Sequence, residues 1–266
     1  MRKTFLVEPS PQGWRNIDRE VGEAVTESAV ENGICLLSLP HTTAGLAVTS
    51  SWDPKGIQDG LGDLRARIPA RISYLHPCSP FASAARTRAA VTGCGHCFIV
   101  REGKLLLGHS QSLVLLDFDG PQEREVTVTV LERPFYFEAF AFSTAFGEMR
   151  DVTAQAEAVV ARSGVRDGFC HLSVVAATAG LMLCAAGQTK ADLWQDLERM
   201  IPTRGDFLHR ETASDAGGHT KTFVAGTQLD LPVTGGKLLL GREQRIVYAE
   251  FDGPRPRDVK AAVYEG

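Results

Sequence analysis

The sequence predicts an α+β protein made of two tandem copies of one unit. Each unit is a mixed or antiparallel sheet with two main helices. Two observations carry this expectation. The first is an ordered set of repeated blocks. GKLLLG begins at Gly103 and again at Gly236, and FDGP begins at Phe118 and again at Phe251, each pair 133 residues apart. Ile68-Pro69 matches Ile201-Pro202, and Leu75-His76 matches Leu208-His209, at the same spacing. Earlier in the unit the spacing is 135, as between Gly33-Ile-Cys35 and Gly168-Phe-Cys170 or Thr43-Ala-Gly45 and Thr178-Ala-Gly180. The second copy has therefore lost two residues around Ser51 to Pro54. The period is far too long for a solenoid and fits a domain. The units are 1–133 and 134–266, with the boundary at Arg133-Pro134. The second observation is that strand-like segments outnumber helical ones and cluster late in each unit, which disfavours a doubly wound α/β fold.

Each unit opens on a strand, Thr4 to Glu8 or Tyr136 to Thr144. A helix follows, because Ile17, Val21, Ala24 and Val25 recur at steps of three or four, as do Val152, Ala156, Val159 and Val160. Gly33 and Gly168 are expected to end those helices or their loops. Two apolar strands come next, ICLLSL and AGLAVT, answered by FCHLSV and AGLML. A second helix presents Ile57, Leu61, Leu64 and Ile68 on one face, then Leu193, Leu197 and Ile201, and stops at Pro69 or Pro202. A polar loop carries His76 or His209. The unit closes on GKLLLG, SLVLLDF and EVTVTVL, or GKLLLG, RIVYAEF and DVKAAVY.

With 44% hydrophobic and 23% charged residues the chain reads as globular. The formal charge of −4, with no basic run, argues against nucleic acid or an anionic membrane as partner. The opening MRKTFLVEPSPQGW lacks an apolar run of useful length and reads as a strand rather than a signal peptide. Phe169 to Thr189 carries no formal charge, but its histidine, serine and glycines fit two buried strands better than a membrane helix. The expected location is cytoplasmic. Cys94-Gly-His-Cys97 is a lone CxxC without a second pair, so it reads as small residues on a strand rather than a zinc or redox motif. The dinucleotide fingerprint, the P-loop, the nucleophile elbow and the His-Glu-x-x-His motif are all absent from the sequence.

The histidines divide unevenly. His41 stands in PHTTAGL, and its counterpart is Ala176. His76 and His209 occupy the same loop in both copies, which makes them site candidates. His219, in DAGGHTK, has Arg86 as its counterpart, and Lys221 has Arg88. His109 matches Arg242. His96 and His171 lie inside strands and read as packed histidines. Copy one therefore has His41 and His76 without a third, and copy two has His209 and His219 without a first. Three imidazoles with an open position make a zinc-type site. Two need a carboxylate or water to complete the shell. Asp53, Asp206 and Asp215 are nearby in sequence.

The unit resembles the YjbQ family, whose members are described as secondary thiamine-phosphate synthase-like. The residues that carry the resemblance are PHTTAGL, Asp53-Pro54, Tyr74-Leu-His76, GKLLLG with Gln111, and DFDGP. In copy two they are Leu208-His209, Gly218-His-Thr-Lys221, GKLLLG with Gln244, and EFDGPRPR. The resemblance implies an α+β domain, commonly a homotrimer, with a pocket of three histidines. Carried over, the metal ligands are His41, His76, His209 and His219. The catalytic candidates are His41, Thr42, Thr43, Gln111, Lys221 and Gln244. Arg86 and Arg88 would hold phosphate oxygens. The implied cofactor is a divalent metal of zinc type, with Mg²⁺ for a pyrophosphate substrate, and the implied partner is a small phosphorylated or anionic ligand. The family's Asn-Glu-Asn is replaced here by Thr49-Ser-Ser51. Two readings stay open: a composite site joining His41 to His209 and His219, or two decaying sites in a binding or scaffold protein.

Overall fold

The computed structural model describes residues 1–75, 79–187 and 189–266. The first half runs β1 (Arg2–Val7), β2 (Trp14–Asn16), α1 (Asp18–Glu27), β3 (Asn32–Ser38), β4 (Ala44–Thr49), α2 (Pro54–Arg67), α3 (Pro80–Thr92), β5 (Gly95–Arg101), β6 (Lys104–Leu105), β7 (Ser112–Asp117) and β8 (Arg124–Glu132). The second half repeats the order as β9 (Phe135–Thr144), β10 (Met149–Asp151), α4 (Thr153–Ser163), β11 (Gly168–Val174), β12 (Ala179–Ala185), α5 (Thr189–Met200), α6 (Asp215–Ala225), β13 (Gln228–Thr234), β14 (Lys237–Leu238), β15 (Gln244–Glu250) and β16 (Arg255–Glu265). Each half holds a five-stranded sheet, β1-β8-β3-β5-β6 or β9-β16-β11-β13-β14, and a three-stranded one, β2-β7-β4 or β10-β15-β12. Every pairing is antiparallel.

Helix α1 lies on the first core as its periodicity predicts, with Val21, Ala24 and Val25 buried. Along β8, Val126, Val128 and Val130 face the same core at the two-residue period of a strand. Strands β4 and β7 are buried along their whole length. Leu46 and Leu113 point to the α1 core, while Ala47 and Val114 pack on Ile57, Leu61 and Leu64 of α2.

Two sequence expectations need correction. Among the described residues each half has a third helix beside the two main ones, because α3 and α6 occupy what reads as polar loop. Ser79 caps α3 and Pro80 opens it. Helix α6 is buried on all sides from Asp215 to Phe223, so it shows no amphipathic period. Gly33 and Gly168 do not end helices. They are the second residue of β3 and the first of β11, where a Cβ would lie 2.1 Å from the Leu131 carbonyl oxygen and 2.0 Å from that of Tyr264. The preceding helices turn earlier, at Ala29 with φ of 55° and at Gly164 with φ of 71°.

Among the described residues two apolar contacts join the halves. Phe223 of α6 enters the α2 core of the first half. Elsewhere Ile34, Cys97 and Ile99 of one five-stranded sheet pack on Ala262 and Tyr264 of the other, and the Tyr264 hydroxyl donates to the Gly33 carbonyl at 3.2 Å. Among the described residues no helix is long and apolar enough to cross a membrane.

Candidate functional site

The junction between the halves encloses a cleft of about 320 Å³. Trp52 and His109 come to it from the first half, and Thr178, Asp215, His219, Asp252, Arg255 and Arg257 from the second. Trp52 meets the His109 ring edge to face at 4.9 Å.

The cleft is held together by contacts across the junction. Asp59 on α2 accepts the backbone N–H groups of Leu208 and His209 at 2.9 and 2.8 Å. Asp53 caps the N-terminus of α2 by accepting from the Lys55 N–H, and its other oxygen accepts from His209 Nδ1 at 2.7 Å. This hydrogen bond holds the Asp53 carboxyl below its ordinary pKa. Gln111 latches the other side. Its Nε2 donates to the carbonyls of Val174 and Ala176 at 2.9 and 3.1 Å, and its Oε1 accepts from the Gly108 N–H. Gly108 must be glycine here, because a Cβ would lie 2.0 Å from the Val175 carbonyl oxygen.

Two imidazoles sit within this frame, their ring centroids 5.4 Å apart. His219 Nδ1 lies 3.0 Å from the Ala177 carbonyl oxygen. A carbonyl only accepts, so Nδ1 carries the proton and Nε2 is left with its lone pair. Burial, then the neighbouring His209, lowers the His219 pKa and keeps the ring neutral. His209 donates from Nδ1 to Asp53, and its Nε2 lies 3.0 Å from Asp215 Oδ2. That contact lacks hydrogen-bond geometry, so His209 Nε2 is buried without a hydrogen-bond partner. Asp215 is fixed by the N–H groups of Ala216 at 2.7 Å and Thr212 at 2.9 Å. His209, Glu211 and Asp215 offer ligand atoms within 4.8 Å of one another.

The cations of the cleft are already paired. Arg257 donates two bonds to Glu250, at 2.7 and 2.8 Å, and one to Thr178 Oγ1 at 3.0 Å. Arg255 binds Asp252, whose other oxygen takes the hydroxyls of Thr212 and Ser214.

The sequence candidates separate into groups. His209 and His219 come together. His41 does not join them: its Nε2 accepts from the Glu125 N–H at 3.0 Å, beside Asp117 and Arg124 of its own half. Thr43 accepts from Arg124, and Thr42 is exposed. Lys221, read as catalytic, lies in the core instead. Its Nζ binds Thr203 at 3.0 Å and Glu198 at 3.1 Å, joining α6 to the end of α5. Arg88, read as a phosphate holder, donates to the Ile68 carbonyl at the end of α2. Arg86 is exposed on α3. Gln111 is a latch between the halves, and Gln244, which makes the same internal bond to the Gly241 N–H, is exposed. His76 lies outside the described residues. Sequence reasoning missed Asp59, Thr178, Asp252, Arg255 and Arg257. The arginine-rich tail of EFDGPRPR, with its counterpart Arg124, was the available signal for the last two.

A family model described as UPF0047 protein YjbQ-like matches residues 3–133 and again 138–266. A UPF0047 protein of Methanocaldococcus jannaschii is 34% identical over 108 residues, 41% of this chain and 77% of the relative. The UPF0047 protein YugU of Bacillus subtilis is 29% identical over 119 residues, 44% of this chain and 87% of the relative. Among solved structures, a YbjQ-like protein of unknown function from Sulfolobus solfataricus aligns at 27% identity over 51% of this chain and 100% of its own, with a TM-score of 0.48. An uncharacterised conserved protein of the same family from Clostridium acetobutylicum aligns at 32% identity over 48% and 99%, with a TM-score of 0.46. Each relative matches about half of this chain, and the family model matches it twice in succession. The chain belongs to the YjbQ-like UPF0047 family and is a tandem duplication of its domain.

Proposed function

We propose that the cleft between the halves is a metal-dependent site for a small phosphorylated or anionic ligand, with His209, His219 and Asp215 as the metal-holding groups. One observation carries this reading. Both imidazoles commit Nδ1 to an acceptor, Asp53 or the Ala177 carbonyl, and His209 turns its Nε2 to within 3.0 Å of the Asp215 carboxylate. Two imidazoles and a carboxylate are a donor set suited to a zinc-type ion with an open position. The Asp53 contact is the kind of outer hydrogen bond that fixes the tautomer of a metal-ligating histidine. A metal bound there supplies charge that polarises a phosphate oxygen.

The chain's own residues do the remaining work. Arg255 and Arg257 place guanidinium groups along one wall, where they orient anionic oxygens without losing their carboxylate partners. Trp52 and His109 form an aromatic edge from the other half. The enzymatic form of this reading is a thiamine-phosphate synthase-like transfer, in which a pyrimidine pyrophosphate joins a thiazole phosphate and releases pyrophosphate. Mg²⁺ would accompany such a substrate. Ligand binding without turnover is the other outcome.

Metal content measured by mass spectrometry on the whole chain and on His209→Ala, His219→Ala and His41→Ala tests the reading. We expect the first two variants to hold about one equivalent less than the parent and the third to match it. A metal content equal to the parent's in both cleft variants would overturn it.

A further inference from the structure

We propose a second metal site, of zinc type, where the two five-stranded sheets meet, with Cys97 of β5, His171 of β11 and Asp230 of β13 as its ligands. The three side chains come from different strands and both halves, and their ligand atoms lie within 4.8 Å of one another. None of them belongs to the cleft described above.

The duplication makes the cluster conspicuous. Cys97 and Asp230 are counterparts, as are Leu36 and His171. In the first half Leu36 and Cys97 face each other across β3 and β5, an ordinary apolar pair. In the second half the same cross-strand pair is His171 and Asp230. Packing of the halves then sets the thiol of one pair against the imidazole and carboxylate of the other.

His171 is fully buried between apolar sheet faces, where a side chain of the first-half type would suffice. Its Nδ1 lies 2.8 Å from Asp230 Oδ1, and its Nε2 is buried with no hydrogen-bond partner. The nitrogen beside Asp230 is Nδ1, so a metal shared with that carboxylate would take Nδ1 in place of their hydrogen bond. The strands hold all three donors on rigid backbone. The Asp230 side chain is half exposed and opens onto an apolar groove of about 670 Å³ that Leu36, Leu131 and Phe169 also line. A thiolate, an imidazole and a carboxylate suit a borderline-soft divalent ion, and the groove side leaves a fourth position for water or a ligand. Binding forms an S–metal bond and releases the thiol proton to solvent.

Cobalt(II) added to the chelator-treated whole chain is the test, because a thiolate ligand gives a charge-transfer band that histidine and carboxylate ligands do not. Among the described residues the cleft is lined by no cysteine, so a metal held by His209, His219 and Asp215 gives no such band. We expect the band in the parent and in His219→Ala, and its loss in Cys97→Ser. Asp230→Asn alters a half-exposed side chain, so it keeps the test open if Cys97→Ser does not fold. It should weaken cobalt binding by at least about tenfold. A parent without the band, a band that persists in Cys97→Ser, or an affinity unchanged in Asp230→Asn would each overturn the assignment.

Discussion

In the first half, Arg124 binds Asp117 and Thr43, and His41 stands beside them with its Nε2 on the Glu125 backbone. In the second half, Arg257 binds Glu250 and Thr178 in the same way, but the place of the imidazole is taken by Ala176. The Ala176 carbonyl is covered by Gln111 from the other half. The guanidinium, carboxylate and threonine are thus a frame common to both copies. The groups around the frame differ, and among the described residues the second copy is roofed by Gln111 of its neighbour. The roofed copy holds two imidazoles and Asp215, while the first copy keeps His41 half-buried. The same domain therefore presents different chemistry according to what lies against it.

The largest effect should come from breaking the shared frame. Asp117→Ala and Glu250→Ala each strand a buried arginine, and each should lower stability by about 3–5 kcal/mol. Urea unfolding would read both, and a large inequality between them would mean that the frames are not equivalent. Next comes the junction. A Cβ on Gly60 would lie 2.5 Å from the Phe223 ring, so Gly60→Val should cost about 1–3 kcal/mol and loosen the contact between halves. Limited proteolysis near Arg133 would report the loosening.

The glutamine pair sharpens the comparison. Gln111→Ala leaves two carbonyls without their donor and should cost about 1–3 kcal/mol. Gln244→Ala, at an exposed position, should stay within about 0.5 kcal/mol of the parent. Equal costs would show that Gln244 has an equivalent burial in solution.

The smallest expected effect is on pH dependence. Burial is the leading cause of lowered pKa at His41, His96 and His219, each from an ordinary value of 6.5. The unfolded chain then takes up protons near pH 6.5 that the folded chain resists. Stability is full above that pH and falls as acid is added. A drop of a few degrees in Tm between neutral pH and mild acid is expected, and His219→Gln should flatten it. A Tm that rises in acid would contradict the assignment.

Much of the fold was legible because its signals are local. Helices α1, α2 and α4 show apolar residues at three- and four-residue steps, and the antiparallel strands alternate. Helices α3 and α6 were hidden for opposite reasons. One is alanine-rich with a weak face, and the other is buried all round, so GGHTKT carries no period. The site was legible as a set of histidines but not as an arrangement. The pairing of Asp53 with His209 spans 156 positions, and the reach of Gln111 to Ala176 spans 65. No spacing rule covers contacts between two domains. Lys221 stands two positions after His219 in its motif, and on a helix two successive steps turn the side chain toward the opposite side.

The latch of Gln111 on Val174 and Ala176 has a genetic consequence. In an assembly of identical subunits, one codon change appears in every symmetric contact at once. Here the donor and the acceptor of the contact are encoded separately. Either can mutate while its counterpart stays fixed, so selection can specialise one surface without disturbing the other. The chain's partnership is also inherited as a unit, since no separate gene must be expressed in matching amounts for the roof to meet its cleft.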